Sequence, residues 1–304
     1  MSRVPDPVSQ AGAEPRPSHS EARIGNLALR VLSALVMAPM ALAAAGFGDW
    51  LFALFWLGAA LLVLWEWIHL VAGPRQTLMF SASGSALVVA AFVESRDRPI
   101  TAMLLIVLGA IASLIFAQRR DRLWVTAGTG YAGAMLLAPM LLRIDPDYGF
   151  FAIVLLFAVV WTTDIMAYFT GRALGGPKLC AAISPKKTWS GAIGGTVCAT
   201  VLAALLPRIL GAVAPAEFAA AIKFVQPGVL ALIGVMLSVL AQLGDLLESW
   251  IKRRFGAKDA SHLIPGHGGV MDRLDGFWAA AVAACLIGLV HGGLSNAALG
   301  LLIW

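Results

Sequence analysis

The chain has 304 residues, of which 60% are hydrophobic and 13% are charged, and its mean hydropathy is +0.83. A soluble domain carries about twice that charged fraction, so the composition excludes a soluble protein and predicts an integral membrane protein. The formal net charge of +5 does not by itself indicate a nucleic-acid partner. In a membrane protein the positions of the Lys and Arg residues along the chain are more informative than the net charge, because they reflect orientation in the membrane.

Residues 1–22 are polar and Pro-rich, so they are predicted to form a disordered tail and not a cleavable export signal. Nine apolar segments follow, each with the composition expected of a membrane-spanning helix. The predicted count is nine spans, with eight or ten as alternatives, because the third and fourth segments are short and the last is long. In chain order the segments occupy residues 31–48, 50–71, 78–93, 100–117, 123–142, 149–170, 190–212, 228–248 and 276–302.

The predicted fold is an all-α, polytopic integral membrane protein with about nine transmembrane helices and no separate soluble domain. Helices 1–5 fall in residues 23–148. Helices 6–9 fall in residues 149–304, together with two long polar loops, 171–189 and 249–275.

The Lys and Arg residues separate by side of the membrane. Of the 22, 17 lie at the N-terminus or in the connections after predicted helices 2, 4, 6 and 8. The positive-inside rule places these parts of the chain in the cytoplasm. Orientation alone accounts for Arg75 and for the cluster from Arg119 to Arg122. It does not account for the two long loops, whose many polar groups predict a cytoplasm-facing polar cleft.

Predicted helix 8 carries a polar stripe, since Gln242, Asp245, Ser249 and Lys252 are separated by 3, 4 and 3 residues and share one helix face. An ionised carboxylate in hydrocarbon is costly, so Asp245 is expected to face a wet or protein-lined cavity. The structural alternative is a salt bridge between Asp245 and Lys252.

Predicted helix 6 carries a second polar stripe, formed by Asp164, Tyr168 and Arg172 at positions i, i+4 and i+8. This stripe also ends at a basic loop, and a functional role is expected for Asp164 and Arg172. The alternatives are that Asp164 pairs with Arg172 or only orders a helix interface.

The loop after helix 8 combines cations, carboxylates and glycines. Its glycines around His267 allow positive φ, which exposes amide N–H groups to an anion. His267 itself is a weaker candidate, since a lone His between glycines is as often a structural hydrogen bonder as a catalyst. Carboxylates at a phosphate site suit Mg²⁺, and the pattern indicates metal-assisted phosphoryl or nucleotidyl transfer. An N-cap role for Asp275 is the alternative at that position. The residues concerned are Lys252, Arg253, Lys258, Asp259, Gly268, Gly269, Asp272, Arg273 and Asp275.

The loop after helix 6 ends in two ammonium groups and two hydroxyls, from Ser184, Lys186, Lys187 and Thr188. They lie just before predicted helix 7, whose N-terminal dipole favours an anion. No Walker A loop and no GxGxxG motif occurs in the sequence, so a soluble-type nucleotide-binding fold is excluded.

Residues 249–275, SWIKRRFGAKDASHLIPGHGGVMDRLD, resemble the hallmark of the phosphatidate cytidylyltransferases, also called CDP-diacylglycerol synthases. Every specified position of that hallmark is met, from Ser249 to Asp275. Family-like elements precede it at Asp164, Ala167, Tyr168, Gly171 and Arg172, in SPKKTW from Ser184 to Trp189, and at Gly244 and Asp245. The resemblance is strong over about residues 150–280, and helices 1–5 share only hydropathy. Ser190 stands where many relatives have Glu.

The resemblance implies that CTP and phosphatidic acid are converted to CDP-diacylglycerol and pyrophosphate with Mg²⁺. Related enzymes have a paired metal centre on aspartates that correspond to Asp245 and Asp272. A second metal ion, such as K⁺, is left open here. We assign Asp245, Asp272 and Asp275 to metal, and Asp245, Asp272, Lys252 and Arg273 to catalysis. The expected substrate-binding residues are Asp164, Arg172, Ser184, Lys186, Lys187, Thr188, Ser249, Arg253, Lys258, Asp259, His267, Gly268 and Gly269.

The expected setting is the inner, cytoplasmic membrane, with the lipid bilayer as partner, the N-terminus inside and no nucleic acid bound. A homodimer is left open, since the GxxxG of Gly191 and Gly195 is more often intramolecular packing than a dimer face.

Three other functions compete with this prediction. A transporter or channel would place polar stripes towards both leaflets, whereas here the unusual groups gather on one side. A CTP-dependent polyprenol kinase fits the Lys258–Asp259 and His267–Asp275 elements poorly. A synthase of similar sequence that acts on isoprenoid ether lipids is separated only by a lipid assay.

Overall fold

The computed structural model describes residues 35–71, 76–96, 98–117, 121–264 and 268–304. Within these ranges the chain forms helices and one small antiparallel sheet. The predicted N-terminal tail, Arg75, the cations Arg119 and Arg120, and His267 lie outside the described residues. The elements are α1 Leu35–Phe47, α2 Asp49–Val71, α3 Gln76–Glu94, α4 Pro99–Phe116, α5 Arg122–Arg143, α6 Gly149–Leu174, β1 Lys178–Cys180, β2 Ser184–Thr188, α7 Trp189–Val213, α8 Ala216–Ile222, α9 Pro227–Arg254, α10 Met271–Gly292 and α11 Ala297–Leu302.

Seven of the described helices are long and apolar enough to cross a membrane, namely α2, α3, α5, α6, α7, α9 and α10. Two further apolar stretches, Leu35–Phe47 and Pro99–Ile115, are shorter. The prediction of an all-α, multi-pass membrane protein is confirmed. The total of nine spans stays a prediction.

The last predicted helix, 276–302, is wrong in extent. Helix α10 begins at Met271 and ends at Gly292, and Gly293 follows with φ +74°. The chain then folds back, and the His291 Nδ1 lies 2.9 Å from the carbonyl oxygen of Gly300 in α11. Hydropathy records apolar content but not this turn, so two elements were interpreted as one helix.

Helices α6 and α9 extend further than their apolar segments. The first ends at Leu174 and the second at Arg254, so Arg172 and Lys252 are helical although they lie past the predicted span ends at 170 and 248. A hydropathy boundary marks the end of the lipid-like sequence, whereas backbone hydrogen bonding continues through polar residues with good helix propensity. The connections between elements are correspondingly short.

The connection after α6 contains a β-hairpin that the sequence analysis did not predict. Strands β1 and β2 pair antiparallel, with Lys178 opposite Thr188 and Cys180 opposite Ser184. The Trp189 N–H also donates to the Pro177 carbonyl over 3.1 Å. The hairpin therefore fixes the direction in which the chain enters α7.

Helices α6 and α7 pack closely through glycines of α7. A Cβ on Gly191 would lie 2.7 Å from the Ala167 carbonyl oxygen, and one on Gly195 would lie 2.6 Å from that of Thr163. The GxxxG therefore faces α6 of the same chain, which confirms the interpretation as intramolecular packing.

Gly195→Ala is expected to lower the free energy of unfolding by about 1–3 kcal/mol, because the added methyl group meets backbone that has little room to move. Thermal unfolding of the purified protein in detergent measures the effect. Gly211→Ala, in the same helix, is the matched control, since no atom lies within 4 Å of its added Cβ. Equal effects of the two substitutions would contradict the packing argument.

Aromatic side chains join the N-terminal helices to α10. Trp56 of α2 stacks on Phe277 with ring centroids 4.8 Å apart, and Tyr131 of α5 stacks on Trp278 at 4.1 Å. The Trp278 Nε1–H also donates to the Tyr131 carbonyl over 3.0 Å. Helices α2 and α5 thus support the start of the helix that carries Asp272 and Asp275.

Candidate functional site

A polar cavity of about 770 Å³ lies where α6 and α9 end and α7 and α10 begin. The β-hairpin contributes to its lining. The structure therefore brings the two polar stripes and both polar loops of the sequence analysis to one place. The predicted site residues that line the cavity are Asp164, Arg172, Lys186, Lys187, Thr188, Asp245, Lys252, Asp259, Asp272, Arg273 and Asp275.

The other predicted site residues that the structure describes are not among those lining the cavity: Ser184, Ser249, Arg253, Lys258, Gly268 and Gly269. Several of these have supporting contacts instead. The Ser249 Oγ lies 3.4 Å from Asp245 Oδ1, and the Arg253 Nη1 donates to the Ala257 carbonyl over 2.8 Å, just past the end of α9. Lys258 is exposed.

Asp272, in the first turn of α10, is held by three donors. Its Oδ2 accepts hydrogen bonds from the backbone N–H of Ala260 at 2.9 Å and of Gly269 at 2.8 Å. Its Oδ1 accepts one from the Lys252 ammonium. Gly268, with φ +84°, occupies the left-handed conformation that brings the loop backbone around this carboxylate. The orientation of Asp272 is therefore fixed before any ligand binds.

Lys252 lies between two carboxylates. Its ammonium forms ion pairs with Asp272 and with Glu248, one turn earlier in α9. The side chains of Lys252, Glu248 and Asp272 are 9%, 1% and 6% exposed, so this cluster is shielded from solvent. Glu248 was not predicted as a site residue, although its spacing of four residues from Lys252 is the sequence signal for such a pair.

Asp245 pairs with a residue from the other polar loop. The Lys187 ammonium contacts Asp245 Oδ2, which links β2 to α9, and both side chains are nearly 30% exposed. The predicted alternative, a pair between Asp245 and Lys252, is therefore wrong. Helix α9 turns Lys252 towards α10 and not back towards Asp245.

Asp164 and Asp275 line the same cavity. Asp275 Oδ1 accepts from the Gly276 N–H over 2.7 Å, and Asp275 is close enough to interact electrostatically with Asp164 and Asp245. The N-cap alternative for Asp275 is wrong, since Val270 is the N-cap of α10. The alternative pair between Asp164 and Arg172 is not formed either, because Arg172 Nη1 donates to the Tyr168 hydroxyl over 2.9 Å.

The arrangement of the carboxylates determines whether they form a metal site. Among the described residues, no three His, Cys, Asp or Glu side chains form a group that could hold a metal ion. The predicted trio of Asp245, Asp272 and Asp275 is thus not assembled as one ligand set, because two of its members hold lysines. Mg²⁺, however, takes one or two carboxylates and completes its shell with phosphate oxygens and water. Asp245 and Asp272 both line the cavity, so two carboxylates are available there for such an ion.

A hydrogen-bonded polar network continues from the cavity into the bundle. The Gln242 Nε2 donates to Thr196 Oγ1 over 3.0 Å, and Ser238 Oγ donates to the same oxygen over 3.1 Å. Thr163 Oγ1 donates to Ser238 Oγ over 2.8 Å. These polar groups are satisfied between α6, α7 and α9, so their burial in an apolar bundle costs little.

Besides Glu248, two residues near the site were missed by sequence reasoning. Lys178 lines the cavity because the hairpin returns it there, and no sequence signal distinguished it from the orientation cations. Glu66 of α2 is fully buried and bonds to the loop that leads into α10. The sequence does contain a signal for Glu66, because an acidic residue inside the predicted span 50–71 is costly unless it has a role.

Comparisons with known proteins agree with the resemblance described above. The model of the cytidylyltransferase family matches residues 28–290. A phosphatidate cytidylyltransferase of Brucella abortus (strain 2308) is 43% identical over 269 residues, which cover 88% of this chain and 95% of that protein. The phosphatidate cytidylyltransferase of Bacillus subtilis (strain 168) is 34% identical over 217 residues, 71% of this chain and 72% of that protein.

Proposed function

The chain belongs to the cytidylyltransferase family, and from this membership we propose that it transfers the CMP moiety of CTP to phosphatidic acid. The products are CDP-diacylglycerol and pyrophosphate, and the enzyme is a CTP-using nucleotidyltransferase. The observation that carries the proposal is a cavity in which carboxylates and cations from three helices, the hairpin and the loop before α10 meet. Such a cavity suits two polyanionic substrates.

The nucleophile is an oxygen of the lipid phosphate, which attacks the α-phosphorus of CTP. A new P–O bond forms there, the bond from the α-phosphorus to the bridging oxygen breaks, and pyrophosphate leaves. A phosphate monoester has a second pKa of about 6, so the nucleophile is largely ionised at neutral pH and needs no strong general base. The protein's contribution is therefore positioning and charge neutralisation.

The cations that line the cavity supply this neutralisation. Arg273, in the first turns of α10, offers a forked donor that binds two phosphate oxygens at once. Lys187 and Lys252 each contact a carboxylate and also line the cavity, so each ammonium is positioned to share its charge between carboxylate and phosphate. Arg172, Lys178 and Lys186 add positive charge to the same cavity.

Asp245 and Asp272 are the residues that would hold Mg²⁺. When bound, the ion would neutralise negative charge on the substrate phosphates. Asp272 is suited to this role because Ala260, Gly269 and Lys252 fix its carboxylate, so little reorganisation is needed when a ligand binds.

The expected setting is the inner membrane with the cavity open to the cytoplasm. Arg172, Lys178, Lys186, Lys187 and Lys252 all lie at the cavity end of the bundle. Arg143, by contrast, lies at the opposite end of α5 and α6 from this cavity. By the positive-inside rule, this distribution supports a cavity that opens at the face where a soluble nucleotide is supplied.

The proposal is tested by incubating purified protein with radiolabelled CTP, phosphatidate and Mg²⁺, followed by lipid extraction. We expect label in the organic phase, and none after a chelator removes divalent ions. Undiminished labelling after chelation would overturn the role of the metal. Labelling of an isoprenoid ether lipid but not of phosphatidate would overturn the substrate.

A further inference from the structure

We propose that Glu66 is a positioning residue for this reaction, because its buried carboxylate holds the loop backbone that in turn orients Asp272. The proposal rests on the proposed function and extends it to the N-terminal half of the chain. Glu66 lies in α2, about 200 residues from its partners in the chain.

Glu66 makes three hydrogen bonds to the segment that leads into α10. Its Oε1 accepts from the Ser261 hydroxyl at 2.6 Å and from the Val270 N–H at 2.8 Å. Its Oε2 accepts from the Met271 N–H at 2.6 Å. The residue is 0% exposed, so no water competes for these donors. A carboxylate that accepts several hydrogen bonds binds its donors strongly.

The Val270 and Met271 N–H groups belong to the N-cap and first residue of α10, where backbone donors have no intrahelical partner. No side chain of the N-cap residue itself caps this helix. Glu66 supplies that cap from another helix, with the charge sign that a helix N-terminus favours.

The contact reaches Asp272 through the two residues next to Val270 and Ser261. Gly269 precedes Val270, and its N–H donates to Asp272 Oδ2 over 2.8 Å. A Cβ on Gly269 would lie 2.5 Å from Glu66 Oε1, so the loop backbone lies directly against the carboxylate. Ser261 follows Ala260, the second backbone donor to Asp272. Glu66 therefore holds the neighbours of both backbone groups that orient Asp272.

The test compares wild type with Glu66→Gln, which keeps the size of the side chain but places an amide donor against N–H groups. Hydrogen–deuterium exchange of peptides that cover residues 268–274 reports the loop, and kcat reports the reaction. We expect exchange to rise and kcat to fall by about tenfold or more, the factor for losing one charge-assisted hydrogen bond. The Mg²⁺ concentration for half-maximal activity should also rise, which a purely structural role would not cause. Glu217→Gln, an exposed position on α8, is the matched control and should change none of these.

Unchanged exchange in Glu66→Gln would overturn the proposal, and so would faster exchange with wild-type kcat. If Glu66→Gln does not accumulate in the membrane, the same exchange measurement on Ser261→Ala tests the proposal. Faster exchange at Val270 and Met271 in that variant supports the proposal, and wild-type exchange overturns it. The exchange result does not depend on the reaction. A wild-type protein that fails to label lipid would therefore refute the proposed function separately.

Discussion

The Asp245→Asn variant is expected to lose at least about a hundredfold in CTP turnover, the scale for removing one preorganised electrostatic group from an active site. Asp245 is one of the two carboxylates proposed to hold Mg²⁺, and asparagine removes its charge. Its side chain and that of Lys187 are 29% and 28% exposed, so breaking this pair should cost little stability. The variant should therefore stay folded and inserted while its kcat falls.

Label transfer at saturating Mg²⁺ measures the loss, and thermal unfolding in detergent checks the fold. Asp147→Asn is the matched control, because Asp147 is exposed in the connection between α5 and α6, away from the cavity. That variant should keep wild-type turnover. If Asp245→Asn kept most of the wild-type activity, the assignment of Asp245 as a metal ligand would be wrong.

The helical nature of the chain was predictable because hydropathy is a local property. Each long apolar segment needs to satisfy its own backbone hydrogen bonds in lipid, and only a helix does so within one segment. The ends of the helices were not predictable from this signal. At Arg172 and Lys252 the helix continues through polar residues, and at Gly293 a turn interrupts an apolar run.

The site was largely predictable from polar residues placed where the membrane makes them costly. Asp164 and Asp245 were found as exceptions in apolar segments, and both line the cavity. Their partners were not predictable, since pairing depends on how helices and hairpin pack. Lys187 reaches Asp245 only because β2 returns the chain over α9.

Glu66 shows why the remainder was missed. It is an isolated acid in α2, without the polar neighbours that form the stripes of predicted helices 6 and 8. Its partners, Val270 and Met271, contribute backbone N–H groups, whose positions no side-chain pattern records. Contacts between a side chain and distant backbone become visible only in the folded structure.

Lys252→Met is expected to cost about 3–5 kcal/mol of unfolding free energy, as removal of one partner from a buried ion pair does. Its ammonium is the shared partner of Glu248 and Asp272, which are 1% and 6% exposed. Without it, two buried carboxylates repel each other with no compensating charge. Thermal unfolding in detergent measures the loss, and Lys223→Met, at an exposed lysine, is the control.

The double variant Lys252→Met/Glu248→Gln separates the structural role of Lys252 from its role in the reaction. Neutralising Glu248 removes the repulsion, so stability should recover substantially relative to Lys252→Met. Turnover should not recover, because the ammonium that lines the cavity beside Asp272 is still absent. A double variant that regains both stability and turnover would mean that Lys252 only balances the charge of Glu248. A single variant as stable as wild type would mean that the buried cluster contributes nothing to folding.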